Sequence, residues 1–491
     1  MSISVRRNLA WMGLSQTGLF VIGFGGSVAM ARLLTPREMG IYAVAAAVVG
    51  IIDMLRSFGL SALIIREAEL STPVVTTVFT INAALNVLCA AFVLGVSEIG
   101  ARIFGDAGVR SVLHLLAIAP LLNTFEFLPG AHLERAGAFR AIALISFGKS
   151  LLNTCLTVSL AIVGFSYMSI AWGSITTTLF SVVCLNAVGQ KFVSLRLGLH
   201  DWRRVARFGL QMLTIGAVAG MTSRLTDLMI GRIISLSALG LYSRAGGLNS
   251  LLWDNLHLVI TRVVFVDFAE QHRQKLSLRD SYLRIVSILT AMLWPAFTGL
   301  AILAGPVVVT IYGEKWVDAA LPLSMLSVAG VLYVAITMTH ELYTVTGEMA
   351  RQLKVEIKRN LVGSVLFALG CLAGLGWAAA SRIGDALFTI FLVKNDLKRL
   401  TQTRAADYTP IYFQSAGLTV LACGPAAFLM AANGWSEHTP LLAIFGSILC
   451  GVCAWGAGLW YLRHPLYLEA VTAGGHLLSS VATSAARWRM R

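Results

Sequence analysis

A chain of 491 residues that is 57% hydrophobic and only 13% charged, with a mean hydropathy of +0.77, has too little polar side chain to cover a soluble globule of its size. The balance is that of an integral membrane protein and excludes a soluble globule. Its formal net charge of +14 is explained by basic loops facing anionic lipid and calls for no nucleic acid.

Apolar runs long enough to cross a hydrocarbon core of ~30 Å as helices follow one another along the whole chain. They fall at 9–31, 40–64, 74–96, 110–130, 141–163, 168–189, 208–230, 242–266, 284–305, 320–346, 361–377, 378–393, 411–432 and 440–462, which predicts an all-α protein of about 14 transmembrane helices. The eleventh and twelfth are poorly separated. Arg6-Arg7, an apolar run and Ala29-Met30-Ala31 resemble a cleavable leader, but the run is long and further spans follow, so an uncleaved first span is expected. The seven cysteines all lie in apolar runs and imply no disulfide framework. Cys450 and Cys453, small residues at i and i+3, read as a helix-packing pair. Gly23 to Gly26 and Gly374-Leu375-Gly376 follow no strand and read as close-packing points or kinks instead of phosphate loops. No HExxH, G-x-S-x-G or Walker pattern is written in the chain, so neither an ATP-driven pump nor an enzyme is expected.

Lys and Arg fix an orientation. With the N-terminus inside, 26 of the 38 basic residues fall in inside segments, 8 in outside loops and four within spans, which predicts both termini in the cytoplasm. The first connector, ARLLTPREMGIY (Ala31 to Tyr42), recurs 200 residues later as GRIISLSALGLY (Gly231 to Tyr242) without a gap. Six spans separate the copies, an even number, so both lie on the outer face and the halves form a parallel internal repeat. The expected organisation is an N-lobe of six helices at 1–189, a cytoplasmic amphipathic linker helix at 190–207, a C-lobe with helices seven to twelve at 208–400, helices thirteen and fourteen at 401–462, and a basic cytoplasmic tail at 463–491.

The charges inside spans are the candidate site, because an ionised side chain at the bilayer centre costs ~2.5–3.5 kcal/mol on insertion scales and usually faces a cavity or a partner. Arg56 has Asp53 at i−3 and Arg224 has Asp227 at i+3, so each divides between structural pairing and ligand contact. Arg262 lies near an inner helix end, where it could reach the interface. Lys149 stands near the middle of its span with no carboxylate within four residues and with Ser146, Ser150, Asn153 and Thr157 nearby, which makes it the foremost candidate for contact with an anionic ligand. Asp53, Glu126, Asp254 and Glu341 are the acids that could take part in ion coupling. Asp254, with His257 close by, is the preferred proton site.

The segments ARLLTPREMGIYAV (31–44), TDLMIGRIISLSALGLYSRA (226–245) and WPAFTGLAILAGPVVVTIYGEKW (294–316) together resemble the polysaccharide transporter family of the multidrug/oligosaccharidyl-lipid/polysaccharide exporter superfamily, bacterial flippases for lipid-linked oligosaccharides. The resemblance covers roughly residues 5–350. It implies two six-helix lobes around a central cavity plus two C-terminal helices, alternating access, and a substrate carried on undecaprenyl pyrophosphate. It further implies location in the bacterial inner membrane, with membrane lipid, a polysaccharide polymerase and export proteins as partners, H+ or Na+ coupling, and no organic cofactor or resident metal. In the related peptidoglycan-precursor flippases the cavity arginines lie on the first, second and eighth spans. Arg56 and Arg262 match the second and eighth by span, but the first span here offers Gln16 and no internal arginine, so a one-to-one transfer fails. A multidrug/cation antiporter on the same architecture and a polysaccharide polymerase are the competing readings. The first would favour an acidic cavity, and the second a sizeable outside loop.

Overall fold

The computed structural model describes residues 3–56, 59–66, 70–189, 196–200, 202–469 and 471, and side chains among these except at 3–17, 55–56, 62, 66, 210–220, 254–263 and 266. No strand occurs among the described residues. Two compact units divide the chain, Met1–Ser243 and Arg244–Arg491.

The first unit runs α1 (Ile3–Leu33), α2 (Pro36–Arg56), α3 (Leu60–Arg66), α4 (Thr72–Phe104), α5 (Ala107–Leu116), α6 (Ile118–Arg135), α7 (Phe139–Ile162), α8 (Met168–Val188) and α9 (Trp202–Ile233). Its helix starts are written locally. Thr35 and Glu38 form a capping box: the Thr35 N–H donates to Glu38 Oε2 at 2.7 Å and the Glu38 N–H donates back to Thr35 Oγ1 at 3.3 Å. Pro73 occupies the first turn of α4, and the Asp106 side chain accepts from the Gly108 N–H at 2.8 Å to open α5. Two predicted spans are interrupted: the second divides into α2 and α3, the fourth into α5 and α6 at Ala117.

The linker differs from expectation. Residues 196–199 are not helical and the helix begins at Trp202, while residues 190–195 lie outside the described part. The physical reason is that the strip is bonded across to α4: Thr77 Oγ1 donates to the His200 carbonyl at 2.6 Å and the Gly198 N–H donates to Thr80 Oγ1 at 2.9 Å, bonds that a helix would have kept to itself.

The second unit continues α10 (Leu236–Arg273) and runs α11 (Arg279–Ile302), α12 (Ala304–Tyr312), a 3-10 turn at Glu314–Ala319, α13 (Ala320–Ala335), α14 (Thr339–Val345), α15 (Met349–Ala373), α16 (Leu375–Thr401), α17 (Ala405–Ala432) and α18 (Leu441–Tyr461). Its core is a cluster around Phe268, Tyr282, Leu293, Phe297, Val334 and Leu342. The predicted boundary between spans eleven and twelve, at 377/378, lies instead at Gly374, whose φ of +112° permits a corner no side chain would favour. The last two helices and the turn after them are tied to α11 by polar bonds. Ser287 Oγ lies 2.9 Å from His464 Nε2, Thr290 Oγ1 lies 2.8 Å from Ser415 Oγ, and the Trp455 indole donates to the Ala291 carbonyl at 2.9 Å.

Each apolar run of the sequence coincides with a helix or an interrupted helix, and among the described residues nine helical segments are long and apolar enough to cross a membrane. Large apolar side chains such as Val163, Phe413, Phe428 and Leu442 stand 73–85% exposed, as lipid-facing residues do. Within the first unit α9 lies along α2, where Arg224 crosses the backbone at Gly50 and Gly231 abuts Val44. The expected packing pair near the end of the chain is corrected. Cys450 and Cys453 are exposed; the packing residue is Gly451 between them, where a Cβ would stand 1.9 Å from the Ala422 carbonyl of α17.

Candidate functional site

Lys149 sits about 15 Å along α7 at 1.5 Å per residue, close to the middle of that 24-residue helix. Its ammonium lies 3.5 Å from Glu126 Oε1, and the two side chains keep 35% and 25% of their exposure. Glu126 comes from the middle of α6, and Ser181 of α8 donates to the same oxygen at 2.9 Å. Three helices thus meet in one polar cluster. Asn186 of α8 reinforces the junction by donating to the Phe125 carbonyl at 3.0 Å. The carboxylate that the sequence lacks within four residues of Lys149 is supplied by the neighbouring span.

The polar face predicted around Lys149 divides in the structure. Thr157 is buried, and a Cβ on Gly173 of α8 would stand 2.2 Å from its hydroxyl and 3.2 Å from Asn153 Oδ1, so these two residues allow α7 and α8 to pack closely. Thr154 packs against Gly26 of α1 in the same way. Only the Lys149 end of the face carries exposed charge into the cluster.

Of the other predicted residues, Arg224 is half-buried and its guanidinium lies over α2, with Nε 2.6 Å from where a Cβ on Gly50 would stand. Asp53 is half-buried one turn further along α2. The side chains of Arg56, Asp254, His257 and Arg262 lie outside the described residues.

The repeated connectors meet. Thr35 and Ser235 stand at equivalent positions before α2 and α10, and the Ser235 hydroxyl accepts from the Ala238 N–H at 3.0 Å as a helix cap should. A Cβ on Gly40 would stand 1.7 Å from the Leu236 carbonyl oxygen, and one on Gly240 would stand 2.0 Å from the Pro36 carbonyl oxygen. Residue 40 against 236 and residue 240 against 36 is the same contact written twice, related by a local two-fold. In each, the hydrogen that glycine carries in place of Cβ points at a carbonyl of the opposite helix's first turn, the geometry of a Cα–H···O contact. Connector one is also fixed by the Arg37–Asp106 ion pair at 2.8 Å to the start of α5 and by a Ser166 hydroxyl bond to Glu38.

A second polar site lies in the Arg244–Arg491 unit, where span ten breaks between α13 and α14. Met338 adopts φ +62° at the break, an uncommon conformation for a long side chain. The freed carbonyls are served by aromatic hydroxyls: Tyr412 donates to Ala335 at 2.8 Å and Tyr282 to Thr337 at 3.3 Å. Beside the break is a cavity of about 190 Å³ lined by residues including Trp253, Thr337, His340, Glu341, Gln352 and Arg359. Glu341 is 6% exposed, and Thr337 Oγ1 and Gln352 Oε1 are buried without a hydrogen-bond partner. Among the described residues no group of three or more His, Cys, Asp or Glu side chains is arranged to hold a metal ion.

Comparison with known proteins adds to this geometry. The sequence model of a family described as polysaccharide biosynthesis protein matches residues 29–321. The succinoglycan biosynthesis transport protein ExoT of Rhizobium meliloti (strain 1021) is 27% identical over 327 residues, 66% of each chain. The lipopolysaccharide biosynthesis protein WzxC of Escherichia coli (strain K12) is 24% identical over 330 residues, again 66% of each chain. Among solved structures, the lipid II flippase MurJ in its inward closed conformation superposes with a TM-score of 0.73 at 11% identity, covering 92% of this chain and 98% of that one. At that identity the likeness is one of fold.

Proposed function

Because this chain belongs to the polysaccharide biosynthesis protein family, we propose that it flips undecaprenyl-diphosphate-linked oligosaccharide units across the bacterial inner membrane by alternating access of two lobes around a cationic cavity. The observation that carries this reading is the Lys149 ammonium, held mid-span by Glu126, to which Ser181 also donates, yet still one-third exposed. A diphosphate entering a low-dielectric cleft loses hydration, and charge-assisted bonds from a fixed cation offset that loss.

Glu126 has a defined part in this scheme. An unpaired ammonium at mid-membrane is costly, so Glu126 neutralises Lys149 while the carrier is empty. When the diphosphate arrives, the ammonium turns one or more of its three donors to phosphate oxygens, and Glu126 keeps its bond from Ser181. Arg224, Arg56 and Arg262 would extend the positive lining. Coupling to H+ or Na+ is assigned to the acids: Asp254 and Asp53 by sequence, and Glu341 by its burial beside a cavity with unpartnered oxygen atoms. No bond of the substrate is made or broken, so the protein acts as a transporter and not an enzyme. Its partners are the lipid-linked oligosaccharide, membrane lipid, and the polymerase and export proteins that receive the unit. Both termini lie in the cytoplasm.

The test is Lys149→Ala in cells, with a lipid extract beside a protein blot. The reading expects reduced polysaccharide export, accumulation of the lipid-linked unit on the inner leaflet, and normal protein abundance. Lys149→Arg should keep part of the activity, since it preserves charge but not the compact ammonium. Undiminished flipping in Lys149→Ala and Arg224→Ala, with altered efflux of a cationic dye, would transfer the fold to a cation antiporter.

A further inference from the structure

A groove of about 430 Å³ opens between the first turns of α15 and the last turns of α16, lined by Arg351, Lys354, Val355, Lys358, Leu392 and Asp396. Its charges do not cancel. Asp396 is engaged by Arg351 and by the Tyr343 hydroxyl, and the nearest acid in sequence, Glu356, pairs with Arg359 at 2.8 Å. Lys354 and Lys358 are exposed and form no ion pair among the described residues. Two uncompensated ammoniums one turn apart therefore face the same opening.

The same helix face continues as a lane of exposed apolar side chains: Leu361 at 67%, Val365 at 52%, Leu369 at 59% and Leu372 at 74%. Lys354, Lys358, Leu361, Val365, Leu369 and Leu372 are spaced by three or four residues, so they lie one above the next. Leu361 marks where the charged start of α15 gives way to an unbroken apolar run. At 1.5 Å per residue, Lys358 stands about 4.5 Å and Lys354 about 10 Å outside that level. The headgroup layer on each side of a ~30 Å core occupies a depth of that order.

We infer that this groove is a binding site for an anionic phospholipid, whose phosphate lies between Lys354 and Lys358 and whose acyl chain runs along Leu361, Val365, Leu369 and Leu372. Charge complementarity selects the headgroup, and the apolar lane selects a lipid over a soluble anion. Arg351, already committed to Asp396, sets the far wall of the groove. The site is distinct from the Lys149 cluster, which lies in the other unit, and it serves a structural or regulatory lipid whatever the transported substrate is.

Native mass spectrometry of the purified full-length protein, titrated with phosphatidylglycerol and separately with phosphatidylcholine, tests the inference. The double variant Lys354→Ala/Lys358→Ala should lose phosphatidylglycerol affinity by roughly thirtyfold, as expected for two interfacial cations, with phosphatidylcholine unchanged. Lys354→Arg/Lys358→Arg should restore the binding, which separates lost charge from lost folding. Wild-type phosphatidylglycerol affinity in the alanine variant would overturn the inference, and so would an equal loss for both lipids. Displacement of the bound lipid by millimolar inorganic phosphate would also overturn it, by showing that the lysines read a free anion and the apolar lane contributes nothing.

Discussion

Replacing Gly40 and Gly240 by alanine, singly and together, perturbs the connector contact by one methyl group at a time. The added carbon would start 1.7 Å from the Leu236 oxygen in one case and 2.0 Å from the Pro36 oxygen in the other. To reach a C···O distance of ~3.3 Å, the first turns of α2 and α10 must separate by about 1.6 Å at Gly40 or about 1.3 Å at Gly240. Backbone atoms are the obstacle in both, so no side-chain rotation relieves the clash. Each single change is overpacking at a tight helix crossing and should cost about 1–3 kcal/mol. The two contacts share one separation. Once the first methyl has opened the crossing, the second meets little resistance, and the double variant should cost about as much as the worse single variant, with a coupling of about 1 kcal/mol or more. Thermal unfolding of the detergent-purified protein, read by loss of the monodisperse chromatographic peak, measures this. Additive losses would show that the two glycines occupy independent environments, and unchanged stability in both single variants would refute the reciprocal contact.

Glu126→Gln leaves Lys149 without its neutralising partner while keeping an acceptor for Ser181; binding of a diphosphate lipid should tighten and its release slow, visible as a lower maximal transport rate at a lower half-saturating concentration. Glu341→Gln should remove the dependence of transport on the driving ion gradient while leaving substrate binding intact, as checked by varying Na+ and pH across reconstituted vesicles. His464 is buried against α11 after the end of α18, and burial holds its imidazole below the ordinary value of 6.5. The unfolded chain therefore binds more protons in acid, so stability should fall as pH drops through about 6.5, and His464→Gln should flatten that slope in a pH series of melting curves. Single cysteines test topology: Asp318→Cys should react with a membrane-impermeant thiol reagent in intact cells, and Lys398→Cys, exposed at the far end of α16, should be shielded.

Hydropathy made the spans legible, because a helix in lipid must satisfy its backbone internally and so leaves a long apolar run. It could not reveal breaks that leave hydropathy unchanged. The Met338 break in span ten has neither proline nor glycine, so 320–346 reads as one helix. Gly374-Leu375-Gly376 reads as a kink or packing point, but the continuous apolar stretch around it hid that the corner between α15 and α16 falls there. Lys149 stood out as a lone mid-span cation, but its partner depends on how α6 and α7 are set against each other, and no periodicity within either helix encodes that. A signal did exist: Glu126 lies within span four and Lys149 within the adjacent span five, charges of opposite sign, and intramembrane charges seek partners. The repeat was visible as aligned residues; that Gly40 and Gly240 serve to let each copy touch the other required coordinates.

Movement of a diphosphate-linked oligosaccharide across a bilayer can be followed in reconstituted vesicles. Purified protein is incorporated into vesicles carrying a fluorescent polyprenyl-diphosphate oligosaccharide in both leaflets, and an impermeant reductant is added outside. Without protein, the inner-leaflet fluorescence should persist. With wild-type protein it should decay as labelled lipid is brought out, and with Lys149→Ala the decay should slow. Equal persistence of inner-leaflet fluorescence with and without wild-type protein, in vesicles where the same preparation transports a cationic dye, would show that the protein does not flip the diphosphate-linked lipid.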